Sequence, residues 1–219
     1  MDETRIVKVE RENLAEVVEL AAETIRRGGI VAYPTDTLYG LGVDPFSQDA
    51  VRRLLKAKRR PLDKGIPVLV YSLEAAEKIA CFTLEALLLA ERFWPGPLTI
   101  ILGQRVPVPS EVSGGRGNVG LRVPNHPVPR LIAERVGGAI TGTSANISGA
   151  PPARNAEQVV AQLGSSVDLV LDGGETMGVA STVVDLTEEP PLVVREGAIP
   201  VEDIEKALGR RLRRVSVAD

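Results

Sequence analysis

From Leu14 onward the apolar residues recur with a helical period: Leu14, Val17, Val18, Ala21 and Ile25 share one face and charged residues fill the others. Asn13 followed by Glu16 reads as a capping box that opens this helix, and Gly28-Gly29 closes it. The pattern then turns into a short continuous apolar run over 30–33, as expected of a buried strand, which runs into a loop over 34–42. A second helix is predicted over 49–58 with Val51, Leu54 and Leu55 inward. A basic loop over 59–65 leads to an apolar strand over 67–71.

Two further helices are predicted over 73–81 and 84–93. Trp94-Pro95-Gly96-Pro97 is a turn before a strand over 98–102, and 106–117 is a loop rich in Pro, Gly and Ser. A strand over 119–123, a helix over 128–136 and a strand over 139–141 come next. Asn155 with Gln158 forms a second capping-box pattern for a helix ending at Leu163. Strands over 169–171, 182–185 and 192–194 complete the core, and a short helix precedes a basic tail from about residue 208 with Arg210, Arg211, Arg213 and Arg214. Apolar β-rich runs alternating with helices predict an α/β fold: a twisted, open, mixed and largely parallel sheet flanked by helices. Without an internal repeat or low-complexity linker, one domain over 1–219 is expected.

The chain of 219 residues is long enough for a sizeable core. Aromatic residues make up only 3%, so that core is aliphatic and base-stacking recognition of single-stranded nucleic acid is disfavoured. The net charge of −3 means that any anion site must be a local arrangement. The single cysteine, Cys81, cannot form an intrachain disulfide, residues 1–13 carry no signal-peptide core, and no apolar run is long enough to span a bilayer. A cytoplasmic protein with no membrane partner is expected. One histidine and one cysteine nearly exclude a zinc site of His and Cys ligands. A Ser-His-Asp triad would have to use His126 within Pro124-Asn125-His126-Pro127.

Neither the P-loop pattern nor the dinucleotide fingerprint is present, since Gly40-Leu41-Gly42 has no third glycine after it. The densest charge lies over 56–64, where Lys56, Lys58, Arg59, Arg60 and Lys64 oppose only Asp63. Such a run suits a solvated helix end, where the dipole favours cations, and equally a phosphate cradle held in place by Pro61. The polar stretch over 141–149 follows a buried strand, where open α/β sheets present hydroxyls and amides to ligands; a plain polar turn is the alternative. It lacks the Gly-x-Ser-x-Gly of a nucleophile elbow. Arg122 and Arg195 end Val-rich runs and need anionic partners, either a protein carboxylate such as Glu196 or Asp185, or a ligand carboxylate or phosphate.

Together these segments resemble the threonylcarbamoyl-AMP synthase family, the YrdC-like domain. The resemblance rests on Tyr33-Pro34-Thr35-Asp36-Thr37-Leu38-Tyr39-Gly40-Leu41-Gly42, Lys58-Arg59-Arg60-Pro61, Trp94-Pro95-Gly96-Pro97-Leu98-Thr99, Arg122-Val123-Pro124-Asn125-His126-Pro127, Ser144-Ala145-Asn146-Ile147-Ser148-Gly149, Ser181-Thr182-Val183-Val184-Asp185 and Arg195-Glu196-Gly197. It implies Lys58 and Arg60 as catalytic residues, with Lys58, Arg60, Asn118, Asn146, Arg154 and Arg195 binding ATP, and Thr35, Arg122, Ser144 and Ser181 binding threonine. Asn118, Thr143 and Arg154 depart from the residue types frequent at their positions. The implied reaction joins L-threonine, bicarbonate and ATP into threonylcarbamoyl-adenylate and pyrophosphate for tRNA threonylcarbamoyladenosine synthesis. Mg2+ rides on the ATP phosphates with no metal site on the protein. A tRNA threonylcarbamoyl transferase machinery is the expected downstream partner, and weak RNA contact the accessory one. Longer family members carry a second C-terminal domain, and the short single-domain form is expected here. The alternative is an RNA-binding or ribosome-associated factor of the same fold, using 56–60 and the tail arginines as a phosphate footprint.

Overall fold

The computed structural model describes residues 4–215, so the outer ends of the expected 1–219 domain, including the last tail residues, lie outside the described residues. Strand β1 (Arg5–Lys8) precedes helix α1 (Leu14–Arg26), whose Val17, Val18, Ala21 and Ile25 are buried as the period predicts. The capping box at Asn13 does not form. Its side chain instead accepts the Glu10 amide at 2.8 Å and donates to the Lys8 carbonyl at 2.9 Å, closing the turn before the helix. The chain leaves α1 through Gly28 at φ +80, with the Gly28 and Gly29 amides on the carbonyls of Ile25 and Thr24.

Strands β2 (Val31–Tyr33) and β3 (Gly40–Gly42) then form a hairpin where a loop is predicted over 34–42. Helix α2 (Gln48–Lys58), strand β4 (Val68–Val70), and helices α3 (Leu73–Ile79) and α4 (Leu84–Phe93) follow. Strand β5 (Leu98–Gly103), the short helix α5 (Ser110–Ser113) and strand β6 (Asn118–Arg122) lead to helix α6 (Pro127–Arg135). Strands β7 (Ala139–Thr141) and β8 (Thr143–Ser144), helix α7 (Ala156–Leu163) and strands β9 (Leu169–Asp172), β10 (Thr182–Asp185) and β11 (Leu192–Arg195) come next. Helix α8 (Val201–Leu208) and strand β12 (Arg213–Arg214) end the described chain. At α7, Asn155 caps the Gln158 amide at 2.9 Å, and Gln158 returns its side-chain oxygen to the Arg154 amide, one residue short of a true capping box.

The class is α/β with mixed sheets flanked by helices, as expected. The strands divide into two sheets, ordered β1-β9-β2-β3-β8 and β12-β11-β10-β5-β6-β4-β7. Parallel pairings number five and antiparallel pairings five, so the parallel share is smaller than the pattern suggested. The physical reason is connection length. The six-residue links between β2 and β3 and between β10 and β11 can only turn the chain back on itself, whereas parallel neighbours need a long crossover.

The core is aliphatic. Ile30, Leu41, Leu54, Leu98, Ile100, Leu121 and Val170 belong to its main cluster, and α1 and α6 close a second cluster around Tyr33 and Ile140. Each such side chain contributes about 1.5–3 kcal/mol of burial. The two sheets meet at Gly142: β7 pairs in the seven-stranded sheet, β8 in the five-stranded one, and the Gly142 amide between them bonds the Pro67 carbonyl at 2.7 Å. The functional cleft opens along this seam.

Candidate active site

A cleft of about 780 Å³ is lined from both sheets. Thr35, Thr37 and Gly40 come from the five-stranded side, Thr99, Asn118, Arg122, Ser181 and Arg195 from the seven-stranded side, and Thr143 and Ser144 from the step between them. Five cationic side chains line it, namely Arg60, Lys64, Arg116, Arg122 and Arg195, against a single carboxylate, Asp63. This volume and charge suit a polyanionic ligand of nucleotide size.

The basic segment over 56–64 is split by its backbone. Helix α2 ends at Arg59, which adopts left-handed φ and ψ of 51 and 41, so its neighbours diverge. Lys56 and Arg59 point to solvent, and neither lines the cleft. Arg60 turns into it, with Nε and Nη2 on the Lys64 and Gly65 carbonyls at 3.2 and 2.9 Å. Lys58 is 1% exposed and does not line the cleft, and its Nζ donates to the carbonyl of the cleft residue Ser144 and, at 2.8 Å, to the Asn146 carbonyl. Burial, reinforced by the nearby Arg60 charge, pulls the Lys58 ammonium down to about 7.

Arg195 folds back over Ser181, with Nε and Nη2 on the Ser181 carbonyl at 3.0 and 2.9 Å and Nη2 on Ser181 Oγ at 3.1 Å. Ser181 Oγ also bonds Thr99 Oγ1 at 3.0 Å. Gly197 permits this crossing, because a Cβ there would stand 2.3 Å from the Ala180 carbonyl oxygen. Burial lowers the Arg195 pKa, and so does repulsion from Arg122 and Arg60. Arg60 is lowered by burial too. Among the described residues neither Arg60 nor Arg195 has a carboxylate partner at ion-pair distance. A half-buried and a more exposed guanidinium that share one cleft without an ion-pair partner form a site that an anion would stabilise.

Arg122, at the end of β6, is paired, though with neither Glu196 nor Asp185. Its Nη2 donates to Asp36 Oδ1, its Nη1 to Thr37 Oγ1 at 3.0 Å and its Nε to the Gly96 carbonyl at 2.9 Å. Asp185 is used by the Thr187 amide and hydroxyl, and Glu196 by the Val201 amide and Arg214. Thr35 Oγ1 accepts the Thr37 and Leu38 amides, which shapes the loop that carries Asp36 and Thr37 to Arg122.

The structure thus brings Arg60, Asn118, Arg195, Thr35, Arg122, Ser144 and Ser181 together on the cleft. Lys58, Asn146 and Arg154 are not among the lining residues. Asn146 uses its side chain on Ser144 Oγ and on the carbonyls of Ile147 and Ala150, so it holds its own turn. Arg154 pairs with Glu175 at 3.1 Å and lies against Gly178. Lys64, counted in the basic run over 56–64, does line the cleft; the sequence did not single out Thr37, Asp36 and Arg116, the first two lying inside a motif and Arg116 in a Gly-Gly-Arg-Gly run. His126 accepts the Val128 amide and caps α6, and burial lowers its pKa. The tail arginines are matched by carboxylates: Arg210 by Glu85 and Glu189, Arg211 by Glu205, Arg213 by Glu188 and Arg214 by Glu202. Among the described residues these ion pairs offset part of the charge that an RNA phosphate footprint would use.

Residues 23–197 match the Sua5_yciO_yrdC family, whose description reads "Telomere recombination". A threonylcarbamoyl-AMP synthase of Pyrococcus abyssi is 42% identical over 209 residues, covering 94% of this chain and 61% of that protein. One from Bacillus subtilis is 37% identical over 192 residues, covering 86% and 56%. The crystal structure of P. abyssi Sua5 complexed with L-threonine superposes with a TM-score of 0.92 at 41% identity, over 97% of this chain and 63% of that one. The chain therefore spans about three fifths of the length of these relatives.

Proposed function

We propose that this chain, which belongs to the Sua5/YciO/YrdC family, makes threonylcarbamoyl-adenylate and pyrophosphate from L-threonine, bicarbonate and ATP. The observation that carries the proposal is the pairing pattern of the cleft. Among the described residues Arg60 and Arg195 line the cleft without carboxylate partners at ion-pair distance and suit phosphates, while Arg122 presents N–H groups beside the Thr35 loop and suits an amino-acid carboxylate. The naming of the Pyrococcus structure as a complex with L-threonine supports the choice of amino acid.

In this scheme the threonine amine adds to CO2 derived from bicarbonate, loses a proton and becomes a carbamate. A carbamate oxygen attacks the α-phosphorus of ATP, and the bond from that phosphorus to the α,β-bridging oxygen breaks, with the bridging oxygen and its electron pair leaving on pyrophosphate. No protein nucleophile is required; the chain holds the reactants and takes up charge. Arg122 orients the threonine carboxylate and hence its amine. Arg60 and Arg195 draw off charge developing on the phosphates. Lys58 fixes the turn of Ser144 and Asn146 from behind, and Asn118 lines the floor. Arg154 stands farther out, on Glu175. Among the described residues no group of three metal-ligating side chains occurs, and Asp63 is the lone carboxylate of the lining. Mg2+ would be carried on the phosphate oxygens, where it would supply further charge neutralisation.

We further infer that the product is consumed by a threonylcarbamoyl transferase acting on tRNA, and that the protein works in the cytoplasm. No helix among the described residues is long and apolar enough to cross a membrane. The test is pyrophosphate release from ATP and Mg2+, with threonine and bicarbonate omitted in turn. Release only when both are present supports the proposal. ADP and phosphate in place of AMP and pyrophosphate overturn attack at the α-phosphorus, and indifference to threonine overturns the substrate.

A further inference from the structure

One feature separates Arg122 from every other cation of the cleft. Among the described residues it alone of the five has a carboxylate partner. The pair is buried, with side-chain exposures of 7% for Arg122 and 11% for Asp36. Asp36 Oδ2 is buried and has no hydrogen-bond partner, so no other donor draws on the carboxylate's charge. A guanidinium has five N–H donors, and three are committed to Asp36, Thr37 and Gly96. Two remain to bind a ligand, in an orientation fixed on three sides.

This sets Arg122 apart electrostatically from Arg60 and Arg195. Those two have no carboxylate at ion-pair distance, though Asp63 lies near enough to act on Arg60, and attraction to them grows with the negative charge of the ligand. At Arg122 the pair is neutral overall, and only the directed N–H groups act at short range. A zwitterionic head group loses little there, since its ammonium offsets its carboxylate. A phosphate brings two or more negative charges into a site that already holds a buried carboxylate, where like charges are poorly screened.

We propose that Asp36 is a specificity-determining residue, which by neutralising Arg122 reserves that side chain for a zwitterionic amino acid and leaves polyphosphate to Arg60 and Arg195. The inference rests on the amino-acid and triphosphate roles proposed above. It explains how one basic cleft keeps a highly charged ligand from spreading over the subsite of a net-neutral one. Asp36 needs no contact with the reacting atoms; it acts through Arg122.

The test is calorimetric titration of the full chain with inorganic pyrophosphate. In the wild type, saturating pyrophosphate should change L-threonine affinity less than 3-fold. Asp36→Asn should bind pyrophosphate at least 10-fold more tightly or take up a second equivalent, and pyrophosphate should now compete with threonine. Adding Arg122→Gln to Asp36→Asn should abolish the gain. Asp36→Glu, which keeps the charge, should resemble the wild type. Pyrophosphate binding by Asp36→Asn equal to that of the wild type overturns the proposal, as does displacement of threonine by pyrophosphate in the wild type. Should Asp36→Asn lose its fold, Asp36→Ser takes its place in the same titration. If threonine binds neither protein, the proposed reaction fails; a pyrophosphate gain reversed by Arg122→Gln still establishes the role of Asp36.

Discussion

The ammonium of Lys58 and the carbonyl oxygen of Asn146 lie 2.8 Å apart inside the fold, joining positions 88 residues apart. The contact is reciprocal in kind, because the Ser148 amide bonds the Lys58 carbonyl at 2.8 Å. A buried cation therefore serves as the clasp between the end of α2 and the turn that carries Ser144 to the cleft.

Holding that charge out of water makes stability depend on pH. Lys58 titrates at about 7 in the folded state and near its ordinary 10.5 when unfolded. Below pH 7 both states hold the proton and the burial penalty is fully present. Between pH 7 and 10.5 the unfolded chain binds more protons, so stability rises with pH. Urea unfolding of wild type and Lys58→Met at pH 6, 7, 8 and 9 should show the difference flat below 7, then moving in favour of the wild type by roughly 1 kcal/mol per unit. A difference that stays constant to pH 9 would show that the ammonium is not penalised.

Arg59 and Arg60 are adjacent, yet they should respond in opposite ways. Arg60→Ala removes charge-assisted hydrogen bonding to phosphate, which is typically ~1.5–3 kcal/mol, or roughly a 10- to 150-fold loss in ATP use. Arg59 is exposed and sits at φ +51, where a non-glycine residue is strained, so Arg59→Gly should leave ATP use intact and raise stability by ~1 kcal/mol. Kinetics in ATP and a thermal melt decide both. Equal losses at the two positions would instead indicate a diffuse basic patch.

Gly197→Ala tests the crossing that brings Arg195 onto Ser181. The new methyl would meet the Ala180 carbonyl oxygen at 2.3 Å and Ser181 backbone atoms at 2.6 and 2.7 Å, so the backbone must part. Overpacking of this kind typically destabilises by ~1–3 kcal/mol. ATP affinity should fall more than threonine affinity, because Arg195 leaves its seat. Unchanged ATP binding would separate the crossing from the phosphate site.

Arg122→Lys should impair threonine use nearly as much as Arg122→Ala, since one ammonium cannot bridge Asp36, Thr37, Gly96 and a ligand together. ATP binding measured alone should change less than either variant's KM for threonine. Full activity in Arg122→Lys would refute a directional role for the fork.

The sequence made the helices legible because their apolar period is strong, and Leu84–Phe93 and Ala139–Thr141 fall on the predicted boundaries. It hid β1, β3, β8 and β12, in each of which charged, polar or glycine residues make up at least half of the strand, so that no apolar run marks it. The motifs brought out Arg60, Arg122 and Arg195, whose charge in an apolar context is conspicuous. They could not distinguish Lys58 from Arg60, because the left-handed turn at Arg59 that separates a buried Lys58 from a cleft-lining Arg60 has no signature in an arginine. Nor could they name Asp36 as the partner of Arg122, since that pairing spans 86 residues and arises only when the two sheets meet.

The interleaving of the two sheets also sets when the cleft can exist during synthesis. Strand β2 has β9, some 140 residues later, as its parallel neighbour, and β5 waits for β10. As the chain emerges from its N-terminal end, Thr35, Arg60 and Arg122 appear first, and Ser181 and Arg195 follow them. A nascent chain therefore holds unpaired apolar strands and no complete phosphate seat until β11 has been made, and ligand cannot assist folding before that point.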